Sequence, residues 1–570
     1  MKKFIFFIQV VAFLFNITFV FSQDAIFNIE TSPKYEVRAV WLTTIGGLDW
    51  PHSYAHDGMG ITNQQKELCD ILDKYVEAGI NTVLLQTRIR GTVIYPSELE
   101  TWDGCLSGRP GHSPGYDALA FAINECHRRG LKVHAWIVSI PVGKWSGDGC
   151  SNIRKRHSGL LKKIGDEGYM NPESPETAHY LARVCNEIAS RYDIDGIHLD
   201  YIRYPENWGK IADRQKARDN ISDIVCEVSE TVKKIKPWII MSCSPVGKYA
   251  DTKRARSRGW NARDAVCQDV ELWLKKGWMD MIFPMMYFKD DNFYPFVVDW
   301  RERSHHRIVV PGLGIYFMHT KEKNWPLVDI TREMQFCRSM QMGTCFFRSK
   351  FFTDNVKGIY DYTSAIYSTS VSLVPPVSSI GHSMPPSQPS NVSMSVNSDI
   401  IKLSWGAPNG SDTFSDKAVS YNIYGSDCLN VNVEDGSNLL AAGLHTTTLT
   451  LPPVGKVKYF AVTAVDRYGN ESLPAYFLKD EDGVANTELP EMLCCDERFL
   501  YLDSSDLPVE SVIEFHSVTG GIHSASLVRN EGGRFIVDIS SLSCGHYKAY
   551  WLSRKGYRHL LGRFLKWTVR

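Results

Sequence analysis

The sequence predicts an α/β fold class, a (β/α)8 TIM barrel followed by two small all-β sandwich domains. Short, continuously apolar segments alternate with amphipathic helical segments over residues 35 to about 370, which is typical of a parallel sheet. Eight such units match the strand number of the barrel. A Pro/Ser-rich stretch follows, and then segments in which polar and apolar residues alternate with period two, as in antiparallel strands.

The barrel elements follow one another in regular order. The predicted strands are Val37–Thr44, Ile80–Arg88, Leu131–Val138, Ile194–Ile202, Trp238–Ser244, Trp278–Tyr287, Arg307–Ile315 and Gly343–Ser349. The predicted helices between them include Thr62–Ala78, Tyr116–Arg129, Pro175–Arg191, a long helix that runs through Lys234, and Ala265–Lys275. A doubly wound open sheet is the alternative, but no Gly-rich phosphate loop follows any strand, which favours the barrel.

The N-terminus and the C-terminal half complete the predicted organisation. Lys2 and Lys3 before the apolar run Phe4–Phe21 predict a signal peptide over residues 1–22, with a membrane anchor as the alternative. We therefore expect export to the periplasm, the outer surface or the medium, and a mature chain that does not span a membrane. The further expected boundaries are 30–370 for the barrel, 371–388 for a linker, 389–482 for a domain that resembles fibronectin type III, and 490–570 for a second β-sandwich.

Composition limits the classes of function. The 570 residues are 44% hydrophobic and 22% charged, which is ordinary for a globular protein and excludes a disordered chain. The 63 Lys and Arg residues nearly balance the 64 Asp and Glu residues, giving a net charge of −1. No basic excess is available for nucleic acid, so we expect no nucleic-acid partner. The 15 Trp and 26 Tyr residues suit a cleft that binds sugars.

The catalytic residues of a (β/α)8 barrel lie at the carboxyl ends of its strands. Asp200 is the strongest candidate there, because it ends an apolar strand and lies two positions from His198, on the same side of the strand. The alternative is a carboxylate that only pairs with Arg203. Glycoside hydrolysis needs a second carboxyl group. Glu100 and Asp291 are predicted as its source, with Asp49 and Asp290 as further possibilities, and each of them is alternatively a loop charge.

Other polar and aromatic residues at the strand ends are predicted to bind substrate. They are Asp49, Gln86, Arg88, His134, Trp136, His198, Tyr201, Arg203, Tyr204, Tyr287 and Tyr316. His134, His198 and Asp200 also suggest a metal site, but no HxH or HxxE(H) spacing occurs, so we expect no metal and no other cofactor. No GxSxG motif supports serine hydrolase chemistry.

Several motifs together resemble one family. They are RAVW (38–41), DWP (49–51), QTR (86–88), YPS (95–97) with Glu100 and Trp102, GYDAL (115–119), HRRGL (127–131) with HAW (134–136), and DGIH (195–198) with Asp200 and Tyr204-Pro205. In order and spacing they resemble the glycosyl-hydrolase-like family 10, exported bacterial glycosidases with a (β/α)8 barrel. The resemblance implies hydrolysis of a cell-envelope polysaccharide, with peptidoglycan strands as a substrate class. It also implies that Arg38 and Trp41 bind substrate.

The sequence departs from the family pattern at three places. Tyr201 stands where a second Asp usually follows the residue matching Asp200. Gly91-Thr92 replaces a Gly-Asp pair, and Ser139-Ile140-Pro141 replaces an Asn-Pro pair. These departures allow a different sugar or a weaker activity. Two alternatives therefore stay open, a catalytically inactive glycan-binding protein that uses the same cleft, and another sugar-modifying enzyme such as a deacetylase or a lyase.

Overall fold

The computed structural model describes most of the chain outside the N-terminus. The described residues are 32–255, 257, 259–377, 385–396, 400–408, 417–428, 431–477, 493, 495, 498–502, 512–517, 522–526, 528–529, 535–543, 545–552 and 558–566. The predicted signal peptide over 1–22 and parts of the predicted linker lie outside them. None of the helices found within these ranges has the length and apolar character needed to cross a membrane.

Parallel strands between residues 38 and 346 form a ring. Its strands are β1 (Arg38–Leu42), β2 (Thr82–Arg88), β3 (Lys132–Val138), β4 (Gly196–Asp200), β5 (Ile240–Cys243), β6 (Met281–Ile282), β7 (in two segments, Ile308–Val309 and Gly312–Leu313) and β8 (Thr344–Phe346). Each strand pairs with the next, the first segment of β7 pairs with β6, and the second segment pairs with β8, which pairs in turn with β1. The sheet therefore closes on itself in a TIM-barrel-like fold.

Prolines shorten two of the predicted strands. Pro284 follows the sixth strand and Pro311 lies between the two segments of the seventh, where the sequence predicts continuous strands to Tyr287 and Ile315. Proline has no N–H to donate to a neighbouring strand, so regular pairing is interrupted at these positions. The chain nevertheless keeps its path, because Met285 and Gly312 form an isolated parallel bridge.

Helices cover the outside of the barrel. The longer ones are α1 (Gly58–Glu77), α2 (Ala118–Arg128), α3 (Pro175–Arg191), α4 (Arg214–Ile235), α5 (Val270–Lys276), α6 (Tyr294–Glu302) and α7 (Leu327–Ser339). Helix α1 illustrates why they form. Asp57 caps its first turn by accepting from Gly60 N, and its buried residues Leu68, Leu72 and Tyr75 repeat at helical spacing along one face.

Insertions enlarge the loops after the second and third strands. The loop after β2 carries the short strands Thr92–Val93 and Thr101–Trp102 and the helix Gly104–Ser107. The loop after β3 carries a three-stranded sheet, formed by Pro141–Lys144, Leu161–Ile164 and Glu167–Met170, and the helix Asp148–Arg156. Shorter helical elements within the described ranges are Ile45–Gly47, Ala262–Ala265, Asp290–Asn292, Ile315–Met318, Ser349–Thr353, Val356–Gly358, Ile359–Tyr362 and Thr363–Tyr367.

The C-terminal region consists of antiparallel sheets in two pairs. The first pair comprises Ser390–Val396, Ile401–Gly406 and Thr448–Leu451 in one sheet, and Ser420–Ser426, Leu439–Leu444, Tyr459–Val465 and Ala475–Phe477 in the other. The second pair comprises Phe499–Leu502, Val528–Arg529 and Phe535–Asp538, and Val512–Ser517, Ile522–Ser526, Gly545–Leu552 and Arg558–Lys566. The sheets of each pair share a buried apolar core, as the predicted sandwiches require. Their division into domains and the likeness to fibronectin type III stay predictions.

The first pair of sheets packs against the amino ends of the barrel strands. Lys34, which precedes β1, forms a buried ion pair with Glu471, with Nζ and Oε2 2.7 Å apart. The rings of His127, which precedes β3, and His445 are stacked with their centroids 5.2 Å apart. A cavity of about 490 Å³ remains between the two parts. These sheets therefore lie at the end of the barrel opposite to the carboxyl ends of its strands.

The buried ion pair yields a stability prediction. Substitution Lys34→Met leaves the carboxylate of Glu471 buried without its cation, so we expect the free energy of unfolding to fall by about 3–5 kcal/mol. Chemical denaturation followed by tryptophan fluorescence measures the change. Lys66→Met is the matched control, because Lys66 forms an exposed pair with Asp70, and we expect no measurable loss there. Equal small effects of the two substitutions would show that the Lys34 pair does not hold the two parts together.

Candidate active site

Asp200 lies at the carboxyl end of β4 and is held by groups from the two neighbouring strands and by the backbone of the next residue. Its Oδ2 accepts from Trp136 Nε1 of β3 at 3.0 Å. Its Oδ1 accepts from the Ser244 hydroxyl, just after β5, at 2.6 Å and from Tyr201 N at 2.8 Å. The strand Gly196–Asp200 is buried throughout, and Asp200 itself is only 4% exposed. The carboxyl group is therefore fixed in direction inside the mouth of the barrel.

Burial governs the protonation of this carboxyl group. It raises the pKa of Asp200, while the hydrogen bonds and the charge of Arg203 oppose the shift without cancelling it. Oδ1 accepts two of the three hydrogen bonds and Oδ2 accepts one, so Oδ2 has room for a proton. A carboxyl group that stays protonated to higher pH than usual, with one oxygen available, suits general acid catalysis.

Aromatic side chains form one wall of the mouth. The ring of Tyr287 stacks on Phe347 at 5.3 Å, and Tyr316 meets both rings edge-on at 5.8 Å. Burial raises the pKa of Tyr287, with the Asp200 charge among the smaller causes, and burial raises the pKa of Tyr316 to about 12. Both phenols therefore keep their protons at neutral pH. Apolar ring faces with hydroxyl groups at their edges are suited to bind sugars.

A cation and two partly exposed rings form another part of the mouth. Arg203 is buried, and its guanidinium carbon lies 4.3 Å from the ring centre of Tyr201 and 5.4 Å from that of Trp260. Its Nη2 donates to Glu206 Oε1 at 2.7 Å. Tyr201 has a left-handed backbone with φ of 49°, which is uncommon for a residue other than glycine. Glu206 and Trp260 are not predicted from the sequence, although both lie in loops after barrel strands, where functional residues concentrate.

The predicted histidines lie below this layer, inside the barrel. The Nδ1 atoms of His134 and His198 lie 3.0 and 3.1 Å from the Ser242 hydroxyl, and Trp41 Nε1 donates to His198 Nε2 at 3.3 Å. Burial lowers the pKa of His134 to about 4 and also lowers that of His198. Both rings are thus neutral and buried, and both nitrogens of His198 are engaged within the core. This arrangement does not fit the alternative of a metal held by the two histidines, nor direct contact with substrate by Trp41.

Glu100 is removed from the reacting position by its ion pair. Arg88 Nε and Nη2 donate to Glu100 Oε1 and Oε2 at 2.7–3.0 Å, and the Tyr180 hydroxyl adds a bond of 3.1 Å. Neither side chain of the Arg88–Glu100 pair has any exposed surface. The insertion after β2 folds back so that Glu100 meets the end of its own strand. The predicted catalytic role of Glu100 and the predicted substrate contact of Arg88 do not fit this geometry, since both groups support the loop.

Asp49 and Gln86 are buried residues that bind the loop after β1. Asp49 accepts from the backbone and hydroxyl of Thr43 at 2.9 and 2.6 Å, and it pairs with Arg348 beyond β8. Gln86 Oε1 accepts from the backbone N–H groups of residues 44 and 45 at 3.0 and 2.9 Å. Both side chains hold the loop after β1 in place, and both are buried.

Three further predicted residues lie outside the group around Asp200. Arg38 begins β1 at the opposite end of the barrel, where it binds Glu36 at 2.6 Å and Ser372 at 2.6 Å, so substrate contact does not fit its position. Tyr204 is buried, and its hydroxyl oxygen accepts a hydrogen bond from Asn220 Nδ2 at 3.0 Å. Asp291 is exposed in the turn Asp290–Asn292 after β6, on the same end of the barrel as Asp200.

Comparison with known proteins finds that the barrel is similar in sequence to glycosyl hydrolases. The family model described as "Glycosyl hydrolase-like 10" matches residues 36–316. "Glycosyl hydrolase DigH" of Escherichia coli (strain K12) is 30% identical over 287 residues, which are 44% of this chain and 65% of that protein. "Glycosyl hydrolase YngK" of Bacillus subtilis (strain 168) is 27% identical over 411 residues, 64% of this chain and 79% of that protein. The chain thus spans less than two thirds of the DigH length.

Solved structures show a more distant likeness. The glycoside hydrolase domain of PgaB (BpsB) from Bordetella bronchiseptica aligns with 59% of this chain and 99% of its own length, at 12% identity and a TM-score of 0.41. The match to the family model covers β1 to β7 and includes Asp200, Trp136 and Ser244. The segment that resembles glycosyl hydrolases is therefore the segment that builds the site.

The raised pKa of Asp200 predicts a pH-dependent effect of substitution on stability. An aspartate whose folded pKa lies above its unfolded value of about 3.9 costs stability as pH rises through the folded pKa. Asp200→Asn removes that cost, so its melting temperature relative to the wild type should be more favourable at pH 7.5 than at pH 4. Thermal unfolding at both values measures this difference. Asp223→Asn, on the exposed face of α4, is the control. If Asp200→Asn changes the melting temperature equally at both values, the carboxyl group does not carry the raised pKa.

Proposed function

We propose that the protein is an exported glycoside hydrolase that cleaves the O-glycosidic bonds of a polysaccharide by acid/base catalysis centred on Asp200. The observation that carries the proposal is the buried Asp200 carboxyl group, fixed by three donors at the mouth of the barrel beside aromatic rings. The similarity of residues 36–316 to a glycosyl hydrolase-like family supports it. A peptidoglycan-like glycan of the cell envelope is the proposed substrate class, in keeping with the predicted signal peptide.

Asp200 acts as the general acid in this proposal. Its proton on Oδ2 passes to the glycosidic oxygen while the bond from that oxygen to the anomeric carbon breaks. The carboxylate that remains is the form that Ser244 and the Tyr201 N–H stabilise, since both donate to Oδ1. Burial raises the pKa and keeps the proton available, whereas these donors limit the cost of losing it.

The second carboxyl group comes from the loops around the mouth. It attacks the anomeric carbon directly or activates a water molecule, according to its distance from the acid. Asp291 remains the predicted candidate, and Glu206 joins it because it lies on the same loop as Asp200 with its side chain 52% exposed. Glu100 takes a supporting role instead, because both of its oxygens are bound by Arg88.

The sugar rings bind against the aromatic walls of the mouth. Tyr287 and Tyr316 offer neutral phenols, and Tyr201 and Trp260 add partly exposed rings. A neutral chain with many aromatic residues is suited to a polymer that is held by stacking and hydrogen bonds.

A glycan-binding protein without catalytic activity is the second candidate function. Tyr201 favours it, because an aromatic ring stands where the resembling family usually carries a second aspartate directly after Asp200. The first pair of C-terminal sheets lies at the far end of the barrel and does not extend the cleft, so binding would use the same mouth.

The catalytic role of Asp200 is tested by substitution with asparagine. We expect Asp200→Asn to lower kcat for cleavage of purified peptidoglycan glycan strands by a factor of about 10²–10⁴, because a positioned proton donor contributes that much. The appearance of new reducing ends measures the rate. Asp223→Asn is the matched control, and its rate should equal that of the wild type.

The outcomes separate the two candidate functions. Cleavage that survives Asp200→Asn would contradict the catalytic assignment. Binding of the strands by the wild type without any new reducing ends would contradict the hydrolase and support the binding protein.

A further inference from the structure

Arg203 has hydrogen-bonding capacity that the described structure leaves unused. The residue is 3% exposed and follows Asp200 by three positions on the loop after β4. Its Nη2 donates to Glu206, but its Nε and Nη1 are buried and have no hydrogen-bond partner among the described residues. A buried charged donor without an acceptor costs free energy. A ligand that supplies the acceptor removes this cost, so its binding is stabilised there.

The two aromatic rings do not satisfy these donors. Cation–π contacts act on the faces of the planar guanidinium, and the rings of Tyr201 and Trp260 lie over it at 4.3 and 5.4 Å. The N–H bonds point outward in the plane of the group, at its edge. The rings thus hold the guanidinium by its faces and leave the hydrogen-bonding capacity of its buried edge unused.

The two rings that flank Arg203 lie at the mouth of the barrel. Tyr201 is 40% exposed and Trp260 is 47% exposed, and they belong to the loops after β4 and β5 at the mouth. Arg203 is near enough for its charge to act on the Asp200 carboxyl group. A ligand acceptor bound at Arg203 therefore lies beside the bond that Asp200 is proposed to protonate.

Glu206 shows which acceptor fits. Its carboxylate already binds one N–H of Arg203 at 2.7 Å, and its side chain is half exposed. Guanidinium groups bind carboxylates through two parallel hydrogen bonds, with a geometry that hydroxyl groups cannot match. A carboxylate of the substrate can take the place next to Glu206 or replace it.

We infer that Arg203, framed by Tyr201 and Trp260, is a specificity site for a carboxylate on a sugar next to the bond that is cleaved. The substrate is then an acidic glycan. The inference rests on the proposed function for the identity of the neighbouring bond. Two sources carry the required group, the C6 carboxylate of a uronic acid and the lactyl ether carboxylate of muramic acid.

The test compares each acidic glycan with its methyl ester. Polyuronate and muramic-acid-containing strands with a free lactyl carboxylate are used, each beside its methyl-esterified form, and the glycan that the wild type cleaves faster identifies the source. We expect esterification to raise KM at least tenfold with a small change in kcat. Arg203→Gln should raise KM for the acid to that of the ester and leave KM for the ester nearly unchanged.

Two further variants separate recognition from folding. Glu206→Gln removes the competing carboxylate and should tighten binding of the acid in calorimetric titration, a readout that does not depend on the catalytic role considered for Glu206. A merely structural role of Arg203 does not produce this change. Arg128→Gln, at the exposed end of α2, should leave all constants unchanged. Equal effects of Arg203→Gln on acid and ester, or equal KM values of the two forms with the wild type, would overturn the inference while the hydrolase stands.

Absence of cleavage is resolved by a binding measurement. If the wild type cleaves neither form, the proposed hydrolysis fails, and calorimetric titration with the acid and the ester then decides the inference. Tighter binding of the acid that is lost in Arg203→Gln supports the carboxylate site. Binding that does not distinguish acid from ester overturns it.

Discussion

Polar groups within a closed ring of buried strands must either bind one another or emerge at a strand end, and this constraint organises the site. Inside the barrel, His134 and His198 share the Ser242 hydroxyl, and Trp41 closes the network. Nearer the mouth, the Asp200 carboxyl group accepts hydrogen bonds from Trp136 and Ser244. The lower layer is satisfied and neutral, whereas the upper layer ends in an acid whose pKa is raised by the same burial.

The two ends of the barrel consequently have different roles. At the carboxyl ends, large loops carry Tyr201, Tyr287 and Trp260 around the acid. At the amino ends, Lys34 and His127 contact the first pair of C-terminal sheets. Because those sheets are docked on the far side, they cannot line the cleft. In the proposed function the barrel loops therefore supply substrate recognition, to which the unused donors of Arg203 belong.

Much of this organisation can be predicted from the sequence, and the exceptions have a common cause. Asp200 is predictable because it ends an apolar strand, and parallel strands bring such residues to one mouth. Glu100 is misassigned because its partner, Arg88, lies twelve positions earlier and is reached only when the insertion folds back. Arg38 is misplaced because the motif that contains it begins at the amino end of β1.

Loop conformation accounts for the residues that are not predicted. Trp260 reaches Arg203 only through the long loop after β5, and no periodic pattern encodes such a path. The order of the strands and the closure of the barrel follow from the alternation of strand and helix segments along the chain. Contacts between insertions depend instead on tertiary packing, which no local sequence pattern predicts. The interruption of β7 is only partly predictable. Pro311 indicates a break in the strand, but the sequence does not show that the chain resumes its place in the barrel after it.

In the proposed mechanism the Asp200 carboxyl group, with its protonation set by burial and by its hydrogen-bond donors, protonates the glycosidic oxygen. The pH dependence of kcat for glycan cleavage by Ser244→Ala, compared with the wild type, tests it most directly. Ser244 donates to the charged form, so its removal raises the pKa of Asp200 further. The basic limb of the profile, where the general acid loses its proton, should therefore move to higher pH. A lower rate with an unchanged profile, or a limb that moves to lower pH, would contradict the assignment.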